Sequence, residues 1–227
     1  HIGNIYITNM LLEYTDGTPN KPLSKLMISI RMAKLHEVRR LSEEETDIDR
    51  KDIWGNTALL ECVAYGSNEV LDMLVRNGAN VNVTDDVGNT PLHIAVKCQQ
   101  AMIVKSLIEY GANIDAQDFI QKATPLMLAI MTRNSNIVSA LFENGCNMLL
   151  EDSDSLTACE YICNHPTSCG IDEQLQKLIF YKTRDKMIKA GEYGKYLFKL
   201  GRYERHYGIV IPTTNSNLIK EVAKKEK

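Results

Sequence analysis

Thr57, Thr90, Thr124 and Thr157 stand 33, 34 and 33 residues apart, and their neighbourhoods match as well as their spacing. GNTPLHIAV at 88–96 has a near copy, GNTALLECV, at 55–63. No other property constrains the fold as much, because a unit of this size cannot bury its apolar side alone and must stack on its neighbours. After each Thr an apolar stretch at helical spacing gives way to a polar break and a second stretch. That second stretch is Val70, Leu71 and Leu74 in one unit, Ile103, Val104, Leu107 and Ile108 in the next, and Ile137, Val138, Leu141 and Phe142 in the third. Each unit reads as helix, turn, helix. Stops follow at Asn77-Gly78, Tyr110-Gly111 and Asn144-Gly145, where Gly takes the left-handed conformation that ends a helix. Acidic residues (Asp85, Asp86, Asp118, Asp152) then lead into the next turn.

These residues resemble the ankyrin repeat family. The family pattern T-P-L-H-x-A stands here as Thr90-Pro91-Leu92-His93-Ile94-Ala95 and recurs as Thr124-Pro125-Leu126-Met127-Leu128-Ala129. Thr57-Ala58-Leu59-Leu60-Glu61-Cys62 is a looser copy. The resemblance implies an all-α solenoid of antiparallel helix pairs joined by turns or short hairpins, with helical caps. Repeats are expected at 52–84, 85–117 and 118–151, followed by a divergent fourth at 152–171, where Thr157-Ala158-Cys159-Glu160-Tyr161-Ile162 keeps only the Thr. Counting 33 residues back from Thr57 reaches Ser24, so 22–51 is expected to form an amino-terminal capping pair, with Leu26, Ile28, Ile30, Met32 and Ala33 in its first helix. Residues 1–21 are read as an extension, 172–211 as a basic helical cap and 212–227 as a polar tail.

His93 invites a catalytic reading, but no carboxylate or nucleophile recurs at a spacing that would pair with it. The family position implies a brace instead, bonding near Thr90 and the neighbouring turn. Cys159, Cys163, His165 and Cys169 form the tightest set of candidate zinc ligands. They lack the C-x-x-C hairpin of structural sites, and the register places Cys159 and Cys163 where small apolar residues belong. Phosphate loops, metal-ligand helices and nucleophile elbows are missing from the sequence. No metal, cofactor or catalytic residue is expected, and the chain is read as a non-enzyme. Six scattered cysteines suit reduced thiols in the cytoplasm or nucleus, and no apolar run is long enough to cross a bilayer, so no membrane partner is expected.

The net charge of -3 conceals a split. Residues 1–176 hold 13 Lys+Arg against 24 Asp+Glu, a balance of -11, and 177–227 hold 13 against 5, a balance of +8. In the basic part Lys195, Lys199, Arg202 and Arg205 interleave with Tyr residues, a composition that fits phosphate attraction and base stacking, a helical cap, or docking against the acidic body. The cap is preferred, because the Tyr and Leu residues share one face. In the repeats, the positions that the resemblance leaves free for binding are Ile53, Trp54, Asn56, Tyr65, Asp86, Val87, Asn89, Lys97, Phe119, Ile120, Gln121, Met131 and Asp154, with Ser153 beside the last. Trp54 and Phe119 are the expected anchors. Tips bearing Asp52, Asp85, Asp86, Asp118, Asp152 and Asp154 would suit a partner with apolar side chains in a basic setting. The leading reading is a protein-binding module acting as inhibitor, adaptor or scaffold through its concave face, either as a monomer or bound in a hetero-complex. The alternative is a nucleic-acid-associated factor that uses the basic end, with the repeats recruiting a protein.

Overall fold

Ser24, one period before Thr57, opens the first helix: its hydroxyl accepts the Met27 N–H at 3.1 Å. The protein is seen here as a computed structural model that describes residues 24–164 and 171–190. Helices α1 (Lys25–Arg31) and α2 (Leu35–Glu44) form the first pair. Three more pairs follow at the Thr period: α3 (Ala58–Tyr65) with α4 (Asn68–Arg76), α5 (Pro91–Lys97) with α6 (Ala101–Glu109), and α7 (Pro125–Met131) with α8 (Ser135–Glu143). Helices α9 (Ala158–Asn164) and α10 (Glu173–Ala190) complete the described chain. Among the described residues there is no strand, only an isolated antiparallel bridge between Glu151 and Thr157. The architecture is an all-α solenoid.

Helices α1, α3, α5, α7 and α9 pack on one another in sequence, and α2, α4, α6 and α8 form a second row. Contact is more extensive along the first row than along the second. An inner helix is covered by a neighbour on each side and by its own partner. In α5 every residue from Pro91 to Val96 is therefore buried. An outer helix is amphipathic: α4 buries Val70, Leu71 and Leu74 and leaves its opposite side in water.

The turn inside each pair requires a residue in the left-handed region. Gly66 takes it at φ 83°, but Ala33, Gln99 and Arg133 take it at 53°, 58° and 59°, each bearing a cost of about 1 kcal/mol. Met32 and Ala33, expected in the first helix, lie in this turn instead. A polar ladder joins successive units outside the core. Side-chain oxygens of Asp49, Asn82 and Asp115 accept the backbone N–H of Asn80, Asn113 and Asn147, at 3.1, 2.7 and 2.6 Å. The Asn-rich wording of the repeats thus keeps one unit in register with the next.

The 34-residue step has a definite place. From Asp to Thr the tips run 52–57, 85–90 and 152–157, but 118–124 in the third unit. The extra residue lies in that tip, where Lys122 at φ 50° takes the role of Gly55 and Gly88. The tips also touch: the Phe119 N–H donates to the Val87 carbonyl at 3.0 Å, and the Ser153 N–H to the Gln121 carbonyl at 2.8 Å.

The candidate zinc ligands and the basic end lie largely outside the described residues. Cys159 is buried and its thiol donates to the Thr183 hydroxyl at 3.1 Å. The Cys163 side chain, His165, Cys169, Lys195, Lys199, Arg202 and Arg205 lie outside the described residues, as do 1–23 and the 212–227 tail. Where α10 is described, its cations meet the stack. Lys186 Nζ donates to the Cys146 carbonyl at 3.4 Å, and Lys182 Nζ sits 4.6 Å from the centre of the Phe142 ring.

Gly88 and Gly111 share a left-handed backbone, at φ 84° and 83°, yet a Cβ on Gly88 would stand 2.5 Å from the Phe119 ring whereas one on Gly111 would meet nothing. Gly111→Ala should therefore cost about 1–2 kcal/mol of unfolding free energy in a urea titration. Gly88→Ala should cost about 1–3 kcal/mol more, because Phe119 must move. Equal losses would contradict the close tip packing.

Candidate protein-binding face

Each tip is built on one aspartate. Asp52 Oδ1 accepts the backbone N–H of Trp54 and Asn56 at 2.9 and 2.8 Å, and Asp85 Oδ1 accepts those of Val87 and Asn89 at 3.0 and 2.7 Å. Asp152 does the same for Asp154 and Leu156, both at 2.9 Å, and also accepts the Tyr161 hydroxyl at 2.5 Å. In the longer third tip Asp118 accepts the Gln121 N–H at 2.7 Å. A short Asp side chain can close a turn in this way because its oxygens reach backbone donors two to four residues ahead.

This corrects the expected surface. Of the six acidic tip residues, Asp52, Asp85, Asp118 and Asp152 are buried and spend their oxygens on the turn, whereas Asp86 and Asp154 face water. Asn56 and Asn89, expected on the face, are 4% and 6% exposed. Asn89 Nδ2 donates to Asp85 at 2.8 Å and its Oδ1 accepts from Lys97 at 2.6 Å, so Lys97 is also partly committed to the turn. Trp54 is half-buried, and its neighbour Ile53 is the more exposed of the two.

What remains open is largely apolar. Phe119 and Ile120 are 67% and 68% exposed at the lengthened third tip, and Ile53, Val87, Tyr65 and Met131 are exposed along the same row of tips and inner helices. Gln121 is exposed beside them. The extra residue of the third tip was visible as a 34-residue step in the sequence. That step alone did not say which tip would project.

His93 braces the row from below. The Thr90 N–H donates to Nδ1 at 3.2 Å, completing a capping box at the start of α5, and Nε2 lies 3.0 Å from the Ala123 carbonyl in the next tip. Nδ1 as acceptor assigns the proton to Nε2, which donates across the repeat boundary. At the matching positions Met127 Sδ accepts the Thr124 N–H at 3.4 Å and the Glu160 carboxylate accepts that of Thr157 at 2.7 Å. Arg31 performs a comparable joining role at the other end of the stack: its guanidinium donates to both Glu61 oxygens, at 3.2 and 2.6 Å, tying α1 to α3. Among the described residues no group of three His, Cys, Asp or Glu side chains is arranged to hold a metal. None of the helices there is long and apolar enough to cross a membrane.

A family model described as ankyrin repeats (3 copies) matches residues 26–118 and 77–152, together more than half of the chain. The chain is 32% identical over 115 residues to the RelA-associated inhibitor of Mus musculus, covering 48% of this chain and 14% of that protein. It is 34% identical over 127 residues to palmitoyltransferase AKR1 of Lachancea kluyveri, covering 53% of this chain but 17% of the enzyme. It is 34% identical over 108 residues to protein phosphatase 1 regulatory subunit 27 of Mus musculus, covering 47% of this chain and 69% of that one. The first two matches thus span well under a fifth of each relative's own length.

Burial holds the His93 imidazole below its ordinary range, so on acidification the unfolded chain takes up its proton first. The contribution of His93 to stability is whole above about pH 6.5 and declines below it, by at most about 1.4 kcal/mol per pH unit. His93→Met, which copies the third unit, should lower stability at pH 7.5 by about 1–2 kcal/mol through loss of the bond to Ala123. It should also flatten the decline between pH 6.5 and 5.5, as read by denaturation at each pH. An unchanged acid slope in the variant would show that His93 is not held neutral.

Proposed function

The chain belongs to the ankyrin repeat family, and on that premise we propose that it is a non-catalytic protein-binding module whose concave face of tips and inner helices holds another protein. Ankyrin repeats bind other proteins, and the observation that carries the reading for this chain is the exposed apolar row. Phe119 and Ile120 project from the third tip, with Val87 and Ile53 on the tips before it and Met131 and Tyr65 at the ends of inner helices. Large apolar groups held rigidly in water are costly to leave uncovered and serve as anchors in interfaces. Hydrogen bonding from tip to tip fixes their positions, so little entropy is lost when a partner docks.

The module acts as an inhibitor, adaptor or scaffold in the cytoplasm or nucleus, in a complex with its partner. Relatives named as an inhibitor and as a regulatory subunit fit that role. His93, the residue that first invites a catalytic reading, has both ring nitrogens engaged in holding the stack. The partner's contact surface is expected to be apolar with basic neighbours, because Asp86 and Asp154 are exposed beside the row.

The test compares two faces. Phe119→Ala with Ile120→Ala removes the projecting anchors, whereas Met102→Ala removes a side chain that is 66% exposed on the outer row. A protein captured by the intact chain should bind the double variant at least about 30-fold more weakly, as loss of about 2 kcal/mol at anchor positions implies. It should bind Met102→Ala unchanged, and all three chains should melt within a few degrees of one another. Equal capture by the double variant would place the binding surface elsewhere.

A further inference from the structure

The face has a second apolar edge. Met32, Tyr65 and Cys98 stand eight residues after Ser24, Thr57 and Thr90, and Met131 stands seven after Thr124. All four therefore fall at the ends of inner helices, away from the tips. Met32, Tyr65 and Met131 are exposed and Cys98 is half-buried. The first edge is the tips themselves, with Ile53, Val87, Phe119 and Ile120. Seven or eight residues of helix set the two edges about 10–12 Å apart, and a whole α-helix with its side chains is about 10–12 Å across. Successive inner helices lie about 10 Å apart, which is the rise of about seven helical residues. Three such steps, from Met32 to Met131, make a strip of about 30 Å that about 20 helical residues would fill.

This strip offers side chains rather than backbone. Between the edges run the inner helices, whose amides are bonded within the helices and their caps, and in which Pro91–Val96 and Pro125–Ile130 are all buried. The amides of Trp54, Asn56, Val87 and Asn89 are spent on aspartates, and that of Phe119 on the tip before it. An extended segment laid here would lose water from its own N–H and C=O groups without finding partners for them. A helix arrives with its backbone already bonded. Charge selects its flank. Asp52, Asp85, Asp86, Asp118, Asp152 and Asp154 stand at the tips against Lys51, Lys97 and Lys122, of which Lys51 is held by the Thr84 carbonyl and Lys97 by Asn89. Resting on the binding-face reading above, we propose that the bound part of the partner is an amphipathic α-helix of about 20 residues, lying along the stack between the two edges with Lys or Arg toward the tips.

Random peptides of about 20 residues, displayed on phage and captured by the full chain, test this. Those that bind should carry apolar residues at helical spacing and an excess of Lys and Arg. Made as synthetic peptides, they should gain helical circular dichroism on binding, and a proline at the centre should weaken binding at least about tenfold. Tyr65→Ala with Met131→Ala, on the edge away from the tips, should weaken it by about tenfold as well. Melting curves confirm that the stack of that variant is intact, and the peptide pattern selected on the unaltered chain does not depend on it. Peptides with alternating or proline-rich sequences, bound peptides that gain no helix, or binding indifferent to Tyr65 and Met131 would each overturn a helix lying between two edges. Those results leave the face standing as long as the peptides are lost on Phe119→Ala with Ile120→Ala. Peptides indifferent to that pair would overturn the face itself and the helix with it.

Discussion

Helices of seven to ten residues do not persist alone in water, because the nucleation cost is spread over too few hydrogen bonds. Helices α1 to α8 are all of that length. Their stability comes from burial between units, where Leu59, Leu92, Leu126 and Leu141 are almost wholly removed from water. Each such side chain contributes about 1.5–3 kcal/mol relative to an exposed one. The proposed binding face is the surface this stacking leaves over, and its shape is a property of the whole array.

Hydrogen bonds at the repeat boundaries set register rather than supply most of the energy. The position three residues after each capping Thr illustrates what is required there. His93, Met127 and Glu160 accept the same backbone N–H with an imidazole nitrogen, a thioether and a carboxylate. The amide at a helix start needs an acceptor and is indifferent to its type. The imidazole spends its second nitrogen on the following tip.

The tips separate charge from contact. Four aspartates turn inward to hold the backbone, while Ile53, Val87, Phe119 and Ile120 turn outward. On the proposed function, an approaching partner would touch apolar surface while feeling an acidic field from just below it. Such an arrangement favours apolar, positively charged segments over neutral or acidic ones by electrostatic selection, without any exposed ion pair having to form.

The period of the Thr residues, the helix-turn-helix unit, the glycine stops and the place of Ser24 one period before Thr57 were all legible in the sequence, because each is a local requirement that repeats. The surface was legible only in part. Ile53, Val87, Phe119, Ile120, Tyr65 and Met131 are exposed where the repeat register put them, but Asn56, Asn89 and four of the six tip aspartates are not. A polar side chain in a turn can face water or its own backbone with the same local sequence, and the choice is made by donors that only the folded turn brings within reach. The sequence by itself determined that short helix pairs would stack at a fixed spacing, since no such pair can hide its apolar side alone. Tertiary structure decided which tip projects and which charges lie beneath it, because those follow from contacts between units about 33 residues apart.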